Sequence, residues 1–286
     1  SEALPLAISI DNFIDAHKGN PEVELCAKLA IVQSILEAEK SSLLNYNIEI
    51  RENDIDYSKL EKTWYLYFFQ LLTENSEFDQ LEIRFQSITL IIFNYDRCIE
   101  HFMIHAIKRY YNVSIEEARD TTNKIKIYHP YGKVGALLNI DSEHYIKFGD
   151  TTINSEQLLL LTNKIKTFTE STDKEPEYLE KIHTSMRNAE RLIFLGFGYH
   201  ELNMRLLTLP NINEINNSDF DIFPDCYASA FEIEENGQNI IKDRILSIYD
   251  TPGTSEETTA KRKEKIEIKN AKCKDFFAYY LMSLGF

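Results

Sequence analysis

Apolar positions recur at helical spacing through the first third of the chain and at strand spacing in short bursts after it. Ile10, Phe13 and Ile14 form one face behind Ser9, a residue suited to capping. Leu25, Leu29, Val32, Ile35 and Leu36 continue the period, so residues 10–45 are expected to be helical. Polar residues at 46–57 predict a loop. The stretch 59–72 carries Trp64, Tyr65, Leu66, Tyr67, Phe68 and Phe69, which predicts a core helix buried on several sides. At 87–93 the pattern changes to SITLIIF. This run is short, β-branched and apolar, as in a central strand of a parallel sheet. Further strands are expected at 125–128, 191–195 and 225–231, with extended segments in 136–148. Helices are expected at 97–111, 114–123, 155–165, 176–188, 199–209, 237–249 and 260–284. Ser114 and Glu117 have the spacing of a capping box. The polar stretch 250–259 reads as a loop.

Strands that alternate with helices imply an α/β fold with a doubly wound, mostly parallel Rossmann-like sheet. The early helices then form an inserted helical subdomain. With no internal repeat and no low-complexity linker, one domain is expected over 1–286, with the insertion at about 9–80 and the core at about 85–286.

Composition narrows the function. The 286 residues are 43% hydrophobic and 12% aromatic, which is enough for a sizeable core and argues against global disorder. A net charge of −15 repels a phosphate backbone, so no direct nucleic-acid binding is expected; the one dense basic run, KRKEK at 261–265, lies among acids. Cys26, Cys98, Cys226 and Cys273 form no CxxC pair. That disfavours a zinc ribbon or a disulfide scaffold and predicts buried or half-buried reduced thiols in a cytoplasmic protein. No apolar run reaches the ~18 residues of a membrane span, and no signal peptide is visible.

The candidate chemistry sits where expected strands stop. Ligands of open α/β sheets bind beyond the carboxyl ends of the strands. Three such ends carry polar residues or glycine: FNYD at 93–96, IYHPYG at 127–132 and LGFGYHELN at 195–203. Asn94 and Asp96 flank Tyr95 and would point to opposite sides if the strand persisted. Either is equally a good cap for the helix at 97–111, and the two roles are compatible. His129 precedes Pro130 and must be extended, so its side chain can project from a strand tip. A lone histidine there is more often structural. Gly196 and Gly198 permit a tight turn and close backbone approach, and a pyrophosphate would fit the start of the next helix. The third glycine and the ribose-binding acid of the dinucleotide fingerprint are absent.

In order and spacing, FNYDRCIEHF, IYHPYG and AERLIFLGFGYHELNM resemble the sirtuin-like NAD-binding domains of bacterial proteins, many of them in anti-phage defence. The likeness covers about 87–235, with a weaker likeness in the helical block. The resemblance implies a site that takes NAD as substrate and cleaves it to nicotinamide and ADP-ribose. It gives Asn94 and His129 catalytic roles: Asn94 positions the attacking water near the nicotinamide ribose, and His129 is the base there. Asp96 would contact the carboxamide. Phe93, Tyr95, Gly132, Gly196, Phe197, Gly198, Glu201 and Asn203 would line the cofactor. Such effectors are often oligomers, so a homo-oligomer or a protein partner is expected. The chain lacks the CxxC pairs of deacylating sirtuins, so no zinc is expected and hydrolysis is favoured over deacylation. The family's Gly-Ala-Gly-x-Ser phosphate loop is also absent. Ser1-Glu2-Ala3-Leu4 is not an initiation sequence, so the expectation is that the loop precedes Ser1. If the loop is truly missing, the alternative is a non-catalytic NAD- or ADP-ribose-binding or assembly module.

Overall fold

The computed structural model describes residues 6, 10–17, 19–46, 54–137, 142–167, 170–171, 176–210, 223–249 and 254–285. The chain divides into two compact units, Ser1–Glu175 and Pro176–Phe286.

The first unit is helical around a two-stranded parallel sheet. Its α-helices are α1 (Ile10–Ala16), α2 (Pro21–Ser41), α3 (Tyr65–Thr73), α4 (Leu81–Gln86), α5 (Cys98–Tyr111), α6 (Ile115–Thr122) and α7 (Ser155–Thr162). Its strands are β1 (Thr89–Ile91) and β2 (Lys126–Tyr128), paired Thr89 to Lys126 through Ile91 to Tyr128. Local chemistry sets the helix ends. The Asn20 side chain accepts from the Val23 N–H with Pro21 in the first turn, which starts α2. The Ser114–Glu117 capping box forms as the spacing predicts. Asn112, at φ 54°, closes α5 in the left-handed conformation. Helices α5 and α6 form the crossover between the strands, and α5 is buried from Ile99 to Ile107. Phe102, Met103 and Ile107 are fully buried, each contributing about 1.5–3 kcal/mol over exposure.

One buried ion pair ties this unit together. Arg97 is fully buried. Its Nε and backbone N–H donate to Glu39 Oε1 (both 3.0 Å), and its Nη2 donates to Glu39 Oε2 (2.6 Å). Nη1 donates to the Ile146 carbonyl, and the Gly149 N–H donates to Glu39 Oε2. The pair joins α2, the start of α5 and the 146–149 loop.

The second unit holds α8 (Pro176–Arg187), β3 (Arg191–Phe194), α9 (Glu201–Leu207), β4 (Asp225–Ser229), α10 (Glu235–Ile248), α11 (Glu256–Glu264), β5 (Ile266–Lys269) and α12 (Cys273–Leu284). The strands are parallel in the order β3-β4-β5. Cys226 and Ala228 of the middle strand are fully buried.

The chain is therefore mixed α/β, and its described residues form two small parallel sheets, one in each unit. Several expectations change. The strand expected at 87–93 spans only Thr89–Ile91, so no strand alternation aims Asn94 and Asp96. The helix expected at 59–72 is a 3-10 turn, Tyr57–Lys62, followed by α3, although Phe68, Phe69, Leu71 and Leu72 are core residues as expected. The helix expected at 260–284 is interrupted by β5. Cys26 is exposed rather than buried. The Ser9 cap and parts of the 46–57, 136–148 and 250–259 stretches lie outside the described residues; among the described ones, Ala136 bridges to Tyr145. Among the described residues no helix is long and apolar enough to cross a membrane.

Candidate functional site

At the carboxyl ends of β1 and β2 the chain places a polar cluster. The Ile92 N–H donates to the Tyr128 carbonyl, which carries the pairing one step past β1. The chain then turns through 93–97 into α5, while β2 runs directly into His129 and Pro130. The Val134 N–H donates to the Tyr95 carbonyl and holds the two loops together. Phe93 and Tyr131 meet edge to face at 5.8 Å beside them, and Tyr95 and Tyr131 are buried.

His129 is buried, and both its ring nitrogens face oxygen. Nε2 lies 3.0 Å from Glu100 Oε1, and Nδ1 lies 3.3 Å from the Asn94 carbonyl. Lys133 Nζ donates to the same Glu100 oxygen at 2.8 Å. Glu100 Oε2 is buried and has no hydrogen-bond partner. Burial pulls the Glu100 carboxyl up, but the bonds and charges of His129 and Lys133 outweigh it and hold the group down to about 2. Glu100 is thus a fixed buried carboxylate that orients the imidazole, as in sites where a third group orients a catalytic base.

Asn94 and Asp96 separate by role. Asn94 is exposed, and its side-chain oxygen accepts from the Tyr95 N–H (2.9 Å), which leaves the amide nitrogen's donors for solvent or a ligand. Asp96 lies one residue before Arg97, the cap position of α5, and its Oδ1 accepts from the Cys98 N–H at 3.0 Å. Burial and the nearby Asp96 charge push the Cys98 thiol up, so it is no thiolate nucleophile. Gly132 has φ +79°, and a Cβ there would lie 1.7 Å from the Lys164 carbonyl oxygen; its glycine is dictated by the bridge to Ile165.

The third expected stretch belongs to the second unit. Gly196, at φ +56°, donates its N–H to Ser229 Oγ (2.9 Å), and that hydroxyl donates to the Phe194 carbonyl (3.2 Å). A Cβ at Gly198 would press on the His200 ring. Phe197 packs edge to face on buried Tyr199, which has φ +50° and receives an Arg244 bond on its carbonyl. Glu201 is exposed in the first turn of the seven-residue α9, and Asn203 is half-buried there. Both glycines thus have local structural reasons.

Sequence reasoning missed Glu100 and Lys133. Glu100 read as a polar position of a helix, and its partner lies 29 residues away, so no local spacing marks it. Among the described residues no group of three or more His, Cys, Asp or Glu side chains is placed to hold a metal ion.

A cavity lies elsewhere in this unit, with a volume of about 140 Å³. Tyr46, His101, His105, Arg119, Tyr145 and Lys147 contribute to its wall. His101 stacks on Phe148 at 3.9 Å and 3°, and its Nε2 donates to the Leu44 carbonyl. Burial, reinforced by the neighbouring His105, pushes His101 down to about 3. Burial likewise pushes His105 down to about 4, against the pull of Asp54.

No family model, curated protein or solved structure matches this chain.

Proposed function

We propose that the first unit carries an NAD-cleaving site of the sirtuin-like kind, releasing nicotinamide and ADP-ribose. The reading carries with it that family's doubly wound fold. One observation bears it most: the buried Glu100–His129 pair and the outward Asn94 amide stand together at the carboxyl ends of two parallel strands. Cleavage of the N-glycosidic bond develops positive charge on the ribose, and nicotinamide leaves readily. The protein must orient a water, supply a proton acceptor and exclude bulk solvent. The Asn94 amide would hold the ribose and the water. The carboxylate of Glu100 would fix the imidazole through Nε2, and Nδ1 would take the water's proton once substrate displaces the long 3.3 Å contact to the Asn94 carbonyl. Asp96, held by the Cys98 N–H, would face the carboxamide. The proposal rests on the first unit's residues alone.

A second reading is an NAD- or ADP-ribose-binding module without turnover. It is favoured by the oxygens that face both nitrogens of His129 and leave neither turned toward a substrate. Nicotinamide release from NAD separates the two. Hydrolysis requires release by the wild type and its loss, by about 100-fold or more, in Asn94→Ala and His129→Ala. Saturable NAD binding without release establishes the module instead. Activity retained in both variants removes the site.

A further inference from the structure

We propose that the cavity between α5, α6 and the 145–148 segment is a binding site for a small oxyanion, the phosphate or carboxylate of a metabolite. This cavity is separate from the Asn94–His129–Glu100 cluster. The chain carries a net charge of −15, yet among the described residues no carboxylate lines this cavity, whereas Arg119 and Lys147 both do. Two buried nitrogen atoms on its wall, His105 Nδ1 and Arg119 Nε, have no hydrogen-bond partner. His105 is only 8% exposed. An Asp54 carboxylate oxygen lies 3.7 Å from its Nδ1, beyond hydrogen-bond reach, and that oxygen already accepts from the Ile55 N–H. Buried polar groups are almost always satisfied, so two orphans on one cavity point to a missing acceptor. A neutral acceptor would serve one; an oxyanion can accept from guanidinium, imidazole N–H and phenol together, with charge-assisted strength. Tyr46 and Tyr145 stand on the same wall. A volume of about 140 Å³ admits such an anion.

The test is histidine side-chain NMR on the full chain, titrated with inorganic phosphate or with benzoate, each against chloride at matched ionic strength. The expected result is a saturable shift of the His101 and His105 signals by at least one probe, with His183 of the second unit unmoved. Affinity should weaken about tenfold in Arg119→Gln and in Lys147→Gln, the latter altering an exposed side chain that leaves the fold intact. Response to phosphate alone identifies a phosphoryl ligand, and response to benzoate identifies an aromatic carboxylate. The proposal is overturned by the absence of any saturable shift up to about 10 mM of either probe. An equal response to chloride, or unchanged affinity in Lys147→Gln, overturns it as well.

Discussion

Glu100 Oε1 accepts from both His129 and Lys133, and its low titration makes the pair a source of acid sensitivity. A carboxyl held at about 2 against an ordinary 4.5 stabilises the fold above pH 4.5 and loses that contribution as pH falls toward 2. His101 and His105 act over a higher window. Their folded values of about 3 and about 4 lie below the ordinary 6.5, so the unfolded chain binds protons first, and stability falls as pH drops from 6.5. Each histidine should add a slope of up to about 1.4 kcal/mol per pH unit between pH 6.5 and its folded value. Urea unfolding across about pH 2–7 checks this: His105→Gln should flatten the curve between pH 6.5 and about 4, and Glu100→Gln should flatten it only below pH 4.5. At this scale the sequence was partly legible. Asn94, Asp96 and His129 stand out because they interrupt apolar strands. Glu100, Lys133 and Arg97 do not, because their partners lie 29, 33 and 58 residues away, and only the folded chain defines them.

Helix α5 depends on one ion pair at its start. Removing Glu39 would leave the Arg97 guanidinium buried without its carboxylate, so Glu39→Ala should cost about 3–5 kcal/mol in urea unfolding. The double replacement Glu39→Leu with Arg97→Met should cost less than that single change, because no charge remains buried. Turn geometry gives a second contrast. Gly132→Ala meets both a positive φ and a backbone oxygen at 1.7 Å, whereas Gly19→Ala, at φ +96°, meets nothing within 4 Å. Thermal unfolding should show a loss above about 3 kcal/mol at Gly132 and only about 1 kcal/mol at Gly19. Elements with local signals were legible: the capping box of α6, the buried face of α5, and the apolar cores of β1 to β4. The strand IEIK was not, because four alternating residues between two helix-forming stretches are outweighed by their flanks until parallel pairing with β4 selects them. The length of β1 escaped in the same way. Its apolar run continues to Phe93, but ladder pairing with β2 stops near Tyr128.

For the whole molecule, the alternation of strands and helices was legible as α/β, while its division at Glu175–Pro176 was not, since no composition shift marks that point. The net charge of −15 opposes contact with a nucleic-acid backbone. The central claim is that the chain cleaves NAD with water at the Asn94–His129–Glu100 cluster. The most direct measurement is incubation of the full chain with NAD in ¹⁸O-water, with mass detection of both products. The account predicts equal amounts of nicotinamide and ADP-ribose, one ¹⁸O in each ADP-ribose, and loss of both products in His129→Ala. NAD recovered intact from the wild type would contradict it.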